Sequence, residues 1–231
     1  MSVVNPIICA IDTQNLNKAI SLANVLRGKV GMIKLGLEFF AAHGLFGVRE
    51  ITKCDIPIFL DIKLHDIPNT VARTVAVTKD LNIAMLTLHI TGGIKMLKEA
   101  LNAAQGTKMK LIGVTVLTSM DNKDLHECGI EKEVTSQVVL LAKLAKESGL
   151  QGIVCSALEA QEVRQECGKD FNIITPGIRI NSSNNDQKRI TTPREAIALG
   201  ADYLVLGRPI TKSIDPAKTA KLILESLKRD H

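Results

Sequence analysis

Eight short apolar runs, each followed by a longer stretch of helical periodicity, constrain this chain more than any other feature. The runs are Ile7–Asp12, Gly31–Gly36, Ile56–Lys63, Ala84–Ile90, Leu111–Thr118, Gly152–Ala157, Ile173–Gly177 and Tyr203–Gly207. Segments such as Asn15–Arg27, Val134–Glu147 and Pro193–Leu199 place apolar residues at helical spacing, and Pro216 opens a last helix that runs towards Lys228. Near-continuous apolar strands suit a parallel sheet covered by helices. Eight such units in 231 residues predict a single-domain (β/α)8 TIM barrel over 1–231. The competing fold is an open doubly wound sheet, which usually carries a glycine-rich turn after its first strand. Here that turn reads Ile11-Asp12-Thr13-Gln14-Asn15, without glycine, and no linker divides the chain. The longest irregular segments, about 120–132 and 180–192, both follow strands, where barrel enzymes build their sites.

In a barrel the C-terminal ends of all eight strands meet on one face, and here those ends are polar. The first ends in Asp12, the second contains Lys34, and the third supplies Asp61, Lys63 and the nearby Asp66. His89 lies in the fourth, Thr118 and Ser119 close the fifth, and Ser156 lies in the sixth. The seventh runs into Pro176-Gly177-Ile178-Arg179 and the eighth into Gly207-Arg208-Pro209. Strand beginnings are mainly apolar. That asymmetry favours a catalytic face over ordinary ion pairs at a sheet edge, although structural ion networks also gather charge.

Each residue has a plainer reading. Asp12 is also a natural cap for the helix that begins near Asn15. Lys34 interrupts the apolar run Ile33-Lys34-Leu35, and a lone ammonium there is costly, so it requires a carboxylate such as Asp61. His89 has no second ligand at metal spacing and reads as a hydrogen-bonded core histidine. Ser156 has no evident base and reads as structural. Gly207-Arg208-Pro209 gains weight from its place, because barrels often bind phosphate after strands 7 and 8 and Arg offers two donors to it. The polar loop Asn181-Ser182-Ser183-Asn184-Asn185-Asp186-Gln187 is either plain surface or a lid, and the neighbouring phosphate candidates favour the lid.

Composition narrows the classes of partner. The chain has no Trp, one Tyr and five Phe, too few aromatics for the stacking platforms of single-stranded nucleic-acid binders. Its net charge of +5 is scattered rather than gathered into a basic stripe. Cys9, Cys54, Cys128, Cys155 and Cys167 are odd in number and form no Cys-x-x-Cys pair, which argues against a zinc or redox motif. Cys9 and Cys155 lie in apolar runs and read as buried thiols. Neither a leader nor a membrane-spanning segment is evident, so a soluble, reducing, cytoplasmic setting is expected, with no membrane or nucleic-acid partner.

The densest signal is Asp61-Ile62-Lys63-Leu64-His65-Asp66-Ile67-Pro68-Asn69-Thr70, directly after the apolar Ile56-Pro57-Ile58-Phe59-Leu60. Alternation along a strand puts Asp61 and Lys63 on one face, while Asp66 falls past the strand's end, where parity fixes nothing. This decapeptide resembles the signature of the orotidine 5′-phosphate decarboxylase family. The resemblance continues through Ala10-Ile11-Asp12, Val114-Thr115-Val116-Leu117-Thr118-Ser119-Met120, Val154-Cys155-Ser156-Ala157, Thr175-Pro176-Gly177-Ile178-Arg179 and Gly207-Arg208-Pro209.

The resemblance implies decarboxylation of orotidine 5′-phosphate to UMP, without metal or cofactor. It implies Lys63 as the acid that protonates C6, Asp61 beside the substrate carboxylate, and Lys34 and Asp66 completing an alternating charge array. It further implies Asp12 and Lys34 at the ribose, and Thr118 and Ser119 near the base. Gln187, Arg208 and Gly207 would hold the phosphate, and Arg179 would bind substrate at the base of the loop. Asp66 and Thr70 would reach the partner's site in a homodimer. A bare Asp-x-Lys-x-x-Asp also occurs in related barrel lyases that act on sugar phosphates, which is the alternative.

Overall fold

The computed structural model describes residues 5–179 and 191–227. Its strands are β1 (Ile7–Ala10), β2 (Met32–Gly36), β3 (Ile58–Leu64), β4 (Met85–His89), β5 (Lys110–Val114), β6 (Gly152–Val154), β7 (Asn172–Thr175) and β8 (Tyr203–Leu206). They pair in parallel in chain order, and β1 pairs with β8 to close the barrel. The helices are α1 (Leu16–Leu26), α2 (Leu37–Thr52), α3 (Pro68–Thr78), α4 (Gly93–Ala104), α5 (Asn122–Glu127), α6 (Val134–Ser148), α7 (Ala160–Cys167), α8 (Pro193–Ala198), α9 (Arg208–Thr211) and α10 (Pro216–Ser226). The expected (β/α)8 barrel is therefore observed.

Two aliphatic layers hold it together, and strand alternation sorts residues between them. Ile8, Ala10, Met32, Phe59, Met85, Ile112, Ile174 and Val205 fill the interior. Ile7, Cys9, Ile33 and Leu60 face outward, in one continuous core with helix residues such as Ala19, Ala23, Val71 and Val75. Truncating Phe59, which is 1% exposed, would cost about 3–5 kcal/mol.

Strand starts agree with the sequence pattern to within two residues, but several strands end before their apolar runs do. Asp12, Thr118 and Ser156 lie two to four positions beyond the last residues of β1 (Ala10), β5 (Val114) and β6 (Val154). The apolar pattern misleads there because Ile11, Val116 and Cys155 stay buried under the rim after the ladder has ended. The segment 120–132 is also not irregular throughout. It contains α5, opened by a capping box in which Asp121 accepts from the amide of Asp124 and Asp124 accepts from that of Asp121. The last helix begins at Pro216 as expected, while Lys228 lies outside the described residues.

Candidate active site

Four charges form a chain across the C-terminal mouth of the barrel. Lys34 Nζ lies 3.5 Å from Asp12 Oδ1 and 3.4 Å from Asp61 Oδ2. Lys63 Nζ lies 2.9 Å from Asp61 Oδ1. The order Asp12, Lys34, Asp61, Lys63 alternates in sign from the turn after β1 across β2 and β3. Lys34 does have the carboxylate partner its setting demands. Asp12 does not cap α1, since Asn15 accepts from the amide of Lys18 instead.

Asp61 is the buried centre of this chain, only 8% exposed. Burial alone would raise its pKa. The charges of Lys34 and Lys63, with hydrogen bonds from Lys63 and Thr87, outweigh burial and hold the carboxyl below its ordinary value. It stays ionised at neutral pH despite its setting.

Parity predicted that Asp61 and Lys63 share a face. They do meet, but by a less regular route. Leu60 pairs with Leu86 and Leu64 with Leu88, so β3 spends four steps where β4 spends two. This bulge carries Lys63 into left-handed backbone, with φ of +50°. For a residue with a side chain that conformation costs about 1–2 kcal/mol. The Lys63 amide donates to Thr87 Oγ1 at 2.8 Å, and that hydroxyl donates to Asp61 Oδ1 at 3.0 Å.

Two residues that support the array escaped the sequence reading. Thr87 is fully buried in β4. Its signal was available: one polar residue inside Leu86-Thr87-Leu88, two positions before His89. The second is Gly36, where an added Cβ would come within 2.9 Å of Lys34 Nζ and 3.3 Å of Asp12 Oδ1. A glycine there leaves room for the ammonium.

Three members of the array line a cavity of about 300 Å³. Lys34, Asp61 and Lys63 line it together with Val116, Leu117 and Pro176, and Thr118 and Ser119 belong to the same lining. The lining thus combines a few charged and polar groups with apolar side chains, the usual make-up of a small-molecule site.

The remaining candidates lie around this centre. Gly207 caps α9, whose first residue is Arg208, and a Cβ on Gly207 would lie 3.5 Å from Ala10 Cβ and 4.0 Å from Asp12 Oδ2. The Gly207-Arg208 turn therefore adjoins Asp12. Arg179 donates its amide to the Thr191 carbonyl at 3.1 Å, which joins the described residues on either side of 180–190. Gln187 lies outside the described residues.

Asp66 and Thr70 stay outside the cavity. Both are exposed, and Asp66 Oδ1 accepts from the Ile67 amide at 2.6 Å. Ser156 accepts from the Leu158 amide at 3.3 Å, the structural role expected of it. His89 stacks on His65 with ring centroids 5.2 Å apart. Burial, then the neighbouring His65 and Lys63, hold its imidazole below the ordinary value against the opposing pull of Asp61. Cys9 and Cys155 are buried, and burial, with Asp12 adding to it, pushes the Cys9 thiol up to about 12. Among the described residues no helix is long and apolar enough to cross a membrane.

Comparison with known proteins adds independent findings. The family described as Orotidine 5'-phosphate decarboxylase / HUMPS matches residues 5–223. A protein of Wolbachia pipientis named orotidine 5'-phosphate decarboxylase is 71% identical over 97% of this chain and 99% of its own length. One of the same name from Ehrlichia canis is 57% identical over 96% of this chain and 98% of its own. The crystal structure of orotidine 5'-phosphate decarboxylase from Lactobacillus acidophilus superposes with a TM-score of 0.83 at 35% identity, covering 96% of this chain and 99% of that one.

Proposed function

The chain belongs to the orotidine 5′-phosphate decarboxylase / HUMPS family, and from that premise we propose that it converts orotidine 5′-phosphate to UMP and CO₂, the last step of UMP biosynthesis. The observation that carries the reading is the alternating array Asp12–Lys34–Asp61–Lys63, three of whose members line a cavity together with apolar side chains. The reaction breaks the bond between C6 of the pyrimidine and its carboxylate. CO₂ departs and the bonding electron pair stays on C6, with no adjacent carbonyl to absorb it. An ammonium fixed beside C6 stabilises that pair and then delivers a proton to it. In this reading Lys63 is that ammonium, and solvent later restores its proton.

Asp61 sits against the substrate carboxylate and repels it until CO₂ is lost, while Lys34 holds Asp61 and, with Asp12, takes the ribose hydroxyls. Thr118 and Ser119 meet the base. Arg208, the Gly207 backbone and Gln187 hold the phosphate, and Arg179 adds a contact at the loop base. Phosphate binding far from C6 can then be spent on closing and desolvating the site. No step in this scheme calls on a metal or cofactor. We read 1–231 as one catalytic unit working in the cytoplasm, with neither nucleic acid nor membrane as partner. The alternative, a lyase for a sugar phosphate, keeps the same charges but normally wants a divalent metal.

The test is an ultraviolet assay on orotidine 5′-phosphate with and without a strong chelator. Loss of the orotate absorbance at equal rates in both arms is expected. No turnover, or turnover that the chelator abolishes, rejects the reading.

We further propose a homodimer in which Asp66 and Thr70 complete the partner's site. Their exposure outside their own cavity, together with the 66% exposed Ile67 between them, supports it. Mixing two inactive variants, Lys63→Ala and Asp66→Asn, checks this. Two-fold symmetry gives each hybrid dimer one intact site, so about a quarter of all sites should recover after random subunit exchange. If Asp66 serves its own subunit, proven exchange restores nothing.

A further inference from the structure

Thr87 is a fully buried hydroxyl touching both reactive members of the array, and its bonding has a fixed direction. A hydroxyl carries one proton. The Lys63 amide is a donor, so at 2.8 Å the Thr87 oxygen must accept from it. The hydroxyl proton is then committed to Asp61 Oδ1 at 3.0 Å. That same oxygen receives Lys63 Nζ at 2.9 Å, while Lys34 approaches the other.

The location matters as much as the bonds. Thr87 belongs to the stretch of β4 opposite the bulge, between the pairings Leu60 with Leu86 and Leu64 with Leu88. The bulge turns Lys63 left-handed and takes its amide out of regular register. The Thr87 oxygen meets that amide. An aliphatic residue of equal size would pack there, but would offer the amide no acceptor and Oδ1 no second donor.

We propose that Thr87 is a positioning residue for the decarboxylation, a role that rests on the function proposed above. It pins the Lys63 backbone in its left-handed state and clamps the Asp61 carboxylate. Its second effect appears during turnover. When Lys63 swings from Asp61 Oδ1 towards C6, the Thr87 hydroxyl stays on that oxygen. The buried carboxylate keeps a hydrogen bond while the ammonium moves, so Lys63 leaves without stranding it.

Thr87→Val and Thr87→Ser test this. Loss of a hydrogen bond to a charged group should lower kcat of Thr87→Val by roughly ten- to a hundredfold. KM should change by less than about threefold, because Thr87 is remote from the phosphate turn, and Thr87→Ser should recover most of kcat. Two further readouts need no turnover: the Thr87→Val variant should show faster hydrogen exchange at the Lys63 amide and a higher titration midpoint for the Asp61 carboxyl.

Unchanged kcat with unchanged Lys63 exchange overturns the proposal. So does equal damage in Thr87→Ser and Thr87→Val, which would mean that packing matters and bonding does not. If Thr87→Val fails to fold, Thr87→Cys, a weak donor of similar size, should give an intermediate kcat, and a wild-type value would refute the role. If the wild-type enzyme itself leaves orotidine 5′-phosphate intact, the decarboxylase reading fails separately. The amide exchange and the Asp61 titration then still decide whether Thr87 holds the pair.

Discussion

Two ionic networks sit at opposite ends of this barrel, and they are built on opposite principles. At the N-terminal end Arg164 of α7 gives one guanidinium nitrogen to the carbonyls of Gly168, Lys169 and Phe171, and the other to the Gly200 carbonyl and Asp202 Oδ2. Asp202 Oδ2 also accepts from the Ile173 amide at 2.7 Å. The loops entering β7 and β8 are thereby tied to one side chain. At the C-terminal end Lys63 Nζ has Asp61 as its sole partner among the described residues, and it faces a cavity. A saturated cation is a clamp. A cation with one partner, set in the wall of a cavity, is placed to serve as the reagent proposed above.

The sharpest way to break this comparison is Lys63→Ala. It should lower decarboxylation by roughly 10⁴- to 10⁷-fold, because charge stabilisation and proton delivery are lost together. The melting temperature should hardly move. A folded variant that keeps a tenth of wild-type activity would show that Lys63 is merely structural.

Gly36→Ala comes next. Its methyl group would occupy space within 2.9 Å of Lys34 Nζ and push the ammonium aside. A displacement of about 1 Å in the array should cost roughly ten- to a hundredfold in kcat/KM with little loss of stability. Wild-type kinetics would mean that the position of Lys34 is not critical.

Arg164→Ala should behave in reverse. Losing several charged hydrogen bonds should cost about 2–4 kcal/mol and lower the melting temperature by about 5–10 °C. Below that temperature kcat should stay within about twofold of wild type, since a loosened clamp leaves the mouth alone. A large fall in kcat at constant stability would collapse the distinction between the two networks.

The smallest effect is a matter of acidity. The pKa of Asp61 is held below 3.8, so its ionic contribution to stability is complete above that value and is lost as pH falls through the lowered one. The stability gap between wild type and Asp61→Asn should therefore narrow on acidification below about pH 4. A gap that widens there would reverse the sign of the shift.

The fold was legible because it follows from a repeated pattern, and every strand begins within two residues of where alternation puts it. The array was legible for a different reason. A charge such as Lys34 inside an apolar run demands a partner, and the strand ends converge on one mouth. What stayed hidden depends on backbone detail. The bulge at Asp61–Lys63 leaves no mark in composition. Thr87 is a mild residue whose value comes from facing that bulge, and Gly36 matters through an atom it lacks. The short α5 escaped because its capping box uses Asp124 where a longer acid is the usual sign.

The filled interior has a consequence for traffic. Ile8, Met32, Phe59, Met85, Ile112 and Ile174 are each at most 6% exposed and occupy the barrel beneath the charges. Among the described residues these packed apolar side chains underlie the cavity, so nothing bound in it passes out through the barrel. Gas released from the substrate therefore leaves on the side of the strands' C-terminal ends, the side on which the nucleotide is held, and not through the barrel's packed interior.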